Sequence, residues 1–274
     1  MNNQKEHQIQ KDGFSLHYYI QGDPSNDTVI FIHPAYGDHT CFHHQMSFFA
    51  EKYHVISLDM PGHGKSQVRG GKVTIDVTVD LVAEIMAAEG IAQAHVVGVS
   101  LGSLMAQAVA NRFPQRVKTV TICGGYSIFG NNAAITKAQN REILKAGFLI
   151  LFWMNGFRRY VVKNTNVVDE ERDVFFRAMQ NFTLRSMPVM VGMDKILDKT
   201  ARTLPHPLLI LIGEHDQPVL LNNAQDWRKR ETNARLAVIS GAGHCANMDN
   251  PVEFNQVLGD FLDNYGMEKN VRID

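Results

Sequence analysis

HVVGVSLGS, residues 95–103, sets Ser100 between Gly98 and Gly102, after an apolar run and before a segment rich in Leu, Met and Ala. The apolar run reads as a strand and Leu101 to Arg112 as a helix. A serine at that junction is either an ordinary strand-to-helix turn or a nucleophile on a strained elbow. The two glycines have a mechanical reason in the second case. A tight turn leaves no room for side chains where strand and helix approach. The helix start would also aim free N–H groups at developing negative charge. G-x-S-x-G alone is a weak signal, so the rest of the chain decides.

Outward from the elbow, short and nearly continuous apolar runs recur at 28–33, 54–59, 94–99, 117–123 and 208–213. Strands buried on both faces of a parallel sheet look like this. Residues 14–22 and 234–240 read as further strands, the first adding antiparallel pairing at one edge. Helical patterns lie between them. Val79, Val82 and Met86 follow Asp76, and Phe254, Val257, Leu258, Phe261, Leu262 and Tyr265 form one stripe. Asn250, Pro251 and Glu253 mark the start of that last helix. Strands alternating with helices predict an α/β fold with a mostly parallel sheet.

The alternation stops between Phe129 and Leu204. Helices are expected there over 133–146, 147–163, 169–182 and 186–199. The chain is therefore divided into an α/β core, 1–128 and 205–274, and an inserted all-helical cap, 129–204.

The 274 residues suffice for one large domain with a full core. Lys and Arg total 27 and Asp and Glu 28, which argues against a nucleic-acid partner. Cys41, Cys123 and Cys245 form no C-x-x-C and no even pattern, so a reducing, cytoplasmic interior is expected. The polar start carries no apolar signal region. The most apolar stretch, Gly147 to Phe157, is shorter than the ~20 residues of a span, and no stable membrane insertion is expected.

A serine hydroxyl needs a base, and the base needs an orienting group. Asp216 follows the strand at 208–213, and His244 lies in a glycine-rich loop after the strand at 234–240. Both fall at the carboxyl edge of the sheet, with Ser100, where open α/β sheets hold ligands. Glu214 is the rival acid. Asp59 and His63 precede the serine and would make a second acid–base pair. His39, His43 and His44 have no H-E-x-x-H and no carboxylate at matching spacing. They read as a helix face, with no metal site expected. Cys245 reads as a small wall residue.

FIHPAYGD (31–38), LDMPGHGKS (58–66), GVSLGS (98–103), GEHDQPV (213–219) and GAGHCANMDNP (241–251) come in the order of a known family. Together they resemble the α/β-hydrolases nearly end to end. The resemblance implies an eight-stranded sheet, Ser100 as nucleophile, His244 as base, Asp216 as orienting acid, and the amides of Ala35 and Leu101 as oxyanion donors. The family often has glycine where this chain has Pro34, which lacks an N–H. Serine at position 100 argues against the epoxide hydrolases and haloalkane dehalogenases, which use a carboxylate.

Tyr36, Phe129, Phe148, Trp153 and Val219 are expected to line the substrate pocket. Phe148, Phe152, Trp153 and Phe157 suggest an apolar chamber under the cap. The expected activity is hydrolysis of a small, fairly apolar ester or lactone through an acyl-enzyme, without metal or organic cofactor. A thioesterase, carbon–carbon hydrolase, acyltransferase or perhydrolase would share these residues. A ligand-binding or signalling protein on the same scaffold is the non-catalytic alternative. The oligomeric state is not legible.

Overall fold

A computed structural model describes residues 4–69, 72–130 and 132–265; residues 1–3, 70–71, 131 and 266–274 lie outside the described residues. Among the described residues, eight strands form one sheet: β1 (Lys5–Lys11), β2 (Phe14–Gln21), β3 (Thr28–Ile32), β4 (His54–Leu58), β5 (Ala94–Val99), β6 (Val117–Cys123), β7 (Leu208–Gly213) and β8 (Ala234–Ile239). Their order across the sheet is β1-β2-β4-β3-β5-β6-β7-β8. β2 pairs antiparallel with both β1 and β4, and every other pairing is parallel.

The helices are α1 (His43–Phe49), α2 (Thr78–Ala88), α3 (Leu101–Arg112), α4 (Ala133–Phe152), α5 (Met154–Thr165), α6 (Asp169–Ala178), α7 (Pro218–Arg230), α8 (Ala246–Asp249) and α9 (Pro251–Asn264). The continuous apolar strands are explained by helices on both faces. Ile30 and Ile32 of β3 join the core under α2, α3 and α7, with Val82, Leu104 and Trp227. Val29 and Phe31 point the other way, into the core with Met46 and Phe49 of α1 and Phe254 and Leu258 of α9. This is the period-two alternation of a strand with both faces buried. The start of α9 is as the sequence predicts: the Glu253 N–H donates to Asn250 Oδ1 at 3.3 Å.

β1 is the strand that sequence reading missed. Its sequence, KEHQIQK, is polar and mostly exposed, because an edge strand needs only backbone pairing on one side.

Between β6 and β7 the chain leaves the sheet and folds into α4, α5 and α6, with short 3₁₀ turns after them. The helix expected over 186–199 does not form. Pro188 lies in a 3₁₀ turn at Met187–Met190, and Gly192 at φ 104° breaks the run before a second turn at Met193–Lys195. Ile150, Phe157 and Phe175 of the insertion join the same apolar core as Val29 and Phe31 of β3, Met46 of α1 and Phe254 of α9. Arg158 ties α5 to the following segment, donating to the carbonyls of Met179 at 3.1 Å and Phe182 at 3.0 Å. No described helix is long and apolar enough to cross a membrane.

Candidate active site

Ser100 joins β5 to α3 at φ 53°, ψ −114°. A non-glycine residue there is strained and persists only where its surroundings hold it. The Ser100 N–H donates to Cys123 O at 2.8 Å, pinning the turn to the end of β6. Ser100 O accepts from the Ser103 N–H at 3.0 Å and the Ser103 hydroxyl at 2.5 Å. The flanking glycines are required by packing. A Cβ on Gly98 would lie 2.0 Å from Gly102 O, and one on Gly102 would lie 2.0 Å from Ile32 O.

His244 reaches the same point from the loop after β8. Its Nε2 lies 2.8 Å from Ser100 Oγ. Its Nδ1 lies 3.0 and 3.1 Å from the two carboxylate oxygens of Asp216. A carboxylate only accepts, so Nδ1 donates and Nε2 presents a lone pair to the serine hydroxyl. Burial disfavours charge on His244, but Asp216 more than offsets this, and the imidazole pKa lies above its ordinary 6.5. Asp216 is itself buried, and its Oδ1 also accepts from the Gln217 N–H at 2.7 Å. The rival acid, Glu214, instead accepts from the Gly241 N–H at 2.8 Å in an exposed loop. The histidine loop is held from the insertion, where Thr165 O accepts from the Cys245 N–H at 3.0 Å.

The loop after β3 approaches the elbow from the other side. His33 is fully buried, which lowers its pKa to about 4 and keeps it neutral. Its Nε2 accepts from the Met60 N–H at 2.9 Å, and its Nδ1–H donates to Pro34 O at 2.8 Å. The loop is thereby fixed although Pro34 has no donor. Ala35 faces the cavity beside Ser100. As the first residue of α3, Leu101 has an N–H with no intrahelical acceptor.

Asp59 holds the neighbouring segment. It accepts from the His39 N–H at 2.9 Å, the His39 ring at 2.8 Å and the Lys65 N–H at 2.8 Å. Burial alone would raise its pKa, but these donors hold it below the ordinary value. His63 is buried, donates to Pro61 O at 3.0 Å, and has its pKa lowered to about 3 by burial. Neither side chain reaches Ser100.

A cavity of about 570 Å³ opens over Ser100 and His244. Tyr36 and Val219 line it, as the sequence suggests. Phe129, Phe148 and Trp153 do not. Phe129 is packed in the core at the base of the insertion, with the Arg202 guanidinium 5.0 Å from its ring. Phe148 and Trp153 are 67% and 57% exposed, near the junction of α4 and α5, where they face solvent. The walls come instead from the α5 face of Tyr160, Val161, Asn164 and Thr165, with Phe175 of α6. Their spacing of one, four and five residues is one side of a helix. That pattern was available in the sequence, but nothing local shows which side of α5 turns inward. The Tyr160 hydroxyl donates to Glu142 Oε2, so this wall is partly polar.

The sheet order, the elbow and the two following loops define a class, and the sequence model of the alpha/beta hydrolase fold family matches residues 27–251. The chain belongs to that family. It is similar to a dihydrolipoyllysine-residue acetyltransferase component of an acetoin cleaving system from Cupriavidus necator, with 28% identity over 255 residues. That match covers 90% of this chain and spans 66% of the relative's length. It is 24% identical over 256 residues to an (E)-2-((N-methylformamido)methylene)succinate hydrolase from Acinetobacter baylyi, covering 91% of this chain and 94% of that one. Among solved structures, a thermophilic esterase from Thermogutta terrifontis superposes with a TM-score of 0.81 at 18% identity, covering 95% and 99% of the two chains.

Proposed function

We propose that this chain is a serine hydrolase acting on a small carboxylic ester or lactone through an acyl-enzyme. The observation that carries the reading is the continuous relay from Ser100 Oγ to His244 Nε2 at 2.8 Å and from His244 Nδ1 to Asp216 at 3.0 Å. Ser100 Oγ attacks the carbonyl carbon as its proton passes to His244 Nε2. The carbonyl oxygen takes the negative charge, held by the N–H groups of Ala35 and Leu101, each donor stabilising it by roughly 3–4 kcal/mol. The tetrahedral species collapses, the bond to the leaving group breaks, and His244 returns the proton to that group. Water then repeats the sequence on the acyl-enzyme and frees Ser100. Asp216 holds the ring in the required tautomer and stabilises its charged form.

Residues 129–204 act in this reading as a cap over a core made of 1–128 and 205–274. Tyr36, Val161, Phe175 and Val219 supply apolar contact to the substrate, and Tyr160, Asn164 and Gln217 supply hydrogen bonding. The preferred substrate is therefore compact and carries a polar group besides the scissile carbonyl. Likeness to an acetyltransferase component favours a second reading, transfer of the acyl group to an acceptor other than water.

Turnover of graded p-nitrophenyl esters and lactones by the wild type, and its loss in Ser100→Ala, tests the proposal. A fluorophosphonate should leave one covalent adduct, on Ser100. Adduct formation elsewhere, or hydrolysis surviving in Ser100→Ala, overturns the assignment. Product analysis with added alcohol or thiol acceptors separates hydrolysis from transfer.

A further inference from the structure

His43 and His44 open α1, and Glu171 sits in the first turn of α6, 127 residues beyond His44. His44 Nε2 lies 2.9 Å from Glu171 Oε1, and His43 Nε2 lies 3.6 Å from the same oxygen. The two imidazole rings are 3.8 Å apart, centroid to centroid. Glu171 is only 8% exposed. Its second oxygen, Oε2, is buried and accepts no hydrogen bond among the described residues.

Protons alone satisfy this cluster poorly. His43 Nδ1 is 3.0 Å from Thr40 O and must donate to it, because a carbonyl only accepts. In neutral His43 the Nε2 is then a bare lone pair aimed at a carboxylate. Protonating it would set an imidazolium against a second imidazole that competes for the same oxygen. One carboxylate oxygen is crowded while the other, buried, has no partner. A buried polar atom without a partner calls for an explanation.

We propose that His43, His44 and Glu171 form a binding site for a divalent transition cation, zinc being the best fit, which staples α6 to α1. The ligand atoms of all three residues lie within 4.8 Å of one another. Tetrahedral zinc with bonds of ~2.0–2.1 Å spaces its ligand atoms about 3.3 Å apart. Two imidazole nitrogens and one carboxylate oxygen suit zinc, whereas calcium and magnesium prefer shells of oxygen alone. The bond from His43 Nδ1 to Thr40 O is the outer contact that orients a ligating imidazole and leaves Nε2 for the metal. Both rings are partly exposed, so water can enter and take the fourth position. Phe175 lies one helical turn beyond Glu171 and lines the cavity over Ser100. The ion would thus fasten the helix that walls that cavity. This inference stands independently of the hydrolytic reading.

The test uses the full chain, stripped of metal with chelator and titrated with zinc chloride by calorimetry, alongside thermal melting. One zinc per chain, binding at micromolar concentrations or tighter with a rise in Tm, is the expected result. His44→Gln and Glu171→Gln should each weaken binding by more than about tenfold, since even outer-shell changes cost that much. They should also abolish the zinc-dependent rise in Tm. His39→Gln, which alters a nearby histidine bonded to Asp59, should leave zinc affinity unchanged. His44 is partly exposed, so its variant decides the matter if Glu171→Gln does not fold. The proposal is overturned if the wild type takes up no zinc below roughly 0.1 mM. It is equally overturned if His44→Gln or Glu171→Gln binds zinc as tightly as the wild type.

Discussion

Replacing Gly124 by alanine should slow the proposed hydrolysis without substituting Ser100, His244 or Asp216. Gly124 follows β6 at φ 60°, and a Cβ there would lie 2.8 Å from His244 O, 2.9 Å from His244 Nδ1 and 3.0 Å from His244 Cε1. Ordinary contact begins near 3.4 Å, so the imidazole must retreat by roughly half an ångström. Nδ1 is the atom bonded to Asp216, and the same ring carries Nε2 towards Ser100. Misplacement of reacting groups costs on the order of 10²-fold per ångström, so kcat/KM should fall by about ten- to a hundredfold. Alanine at positive φ also costs about 1–2 kcal/mol of stability, a Tm loss of roughly 2–8 °C for a chain of this size. Gly90→Ala supplies the control. Gly90 has φ 67° and nothing within 4 Å of its built Cβ, so it should lose only the stability that positive φ costs and keep full activity. Initial rates on a p-nitrophenyl ester, read beside melting curves, compare the two. If Gly124→Ala hydrolyses ester within threefold of Gly90→Ala, the contact with His244 does not govern the reaction.

Hydrolysis by the wild type should fall as pH drops through a midpoint above 6.5, because the base must be neutral and Asp216 holds its pKa up. Asp216→Asn should lower kcat by about 10⁴-fold and move the midpoint of the residual activity below that of the wild type, since burial then acts on His244 unopposed; a pH–rate profile with an unmoved midpoint contradicts this. Phe148→Ser and Trp153→Ser should leave KM within about twofold and stability within about 0.5 kcal/mol, and a KM rise of more than fivefold would return these residues to the pocket wall. Trp227→Ala should cost about 3–5 kcal/mol in urea unfolding, because the indole is fully buried between α7 and the sheet.

The parts of the fold that the sequence announces are those decided by short-range pattern. Runs such as LLILIG become β7 because both faces are covered, and the α9 cap forms from Asn250 and Glu253, three residues apart. Ser100, Asp216 and His244 were each readable for a related reason. Each follows a strand that points to the same edge of the sheet, so topology brings them together without any knowledge of side-chain packing. The cavity walls lacked such a rule. Large aromatics such as Trp153 suggest an interior, but which side of a helix is buried depends on what it meets. In the insertion α5 turns the mixed face of Tyr160, Asn164 and Thr165 inward. The trio of His43, His44 and Glu171 was hidden more deeply, since its carboxylate arrives from a different helix far along the chain. β1 escaped notice because backbone pairing leaves no mark on hydropathy.

Thr165 lines the cavity with its side chain's neighbours and, through its carbonyl, grips the amide next to His244. The cavity wall and the loop that carries His244 are therefore joined by a direct hydrogen bond. If the proposed hydrolysis holds, the fit of a guest and its reactivity should be coupled through this contact, a guest too bulky for the α5 wall displacing the histidine loop.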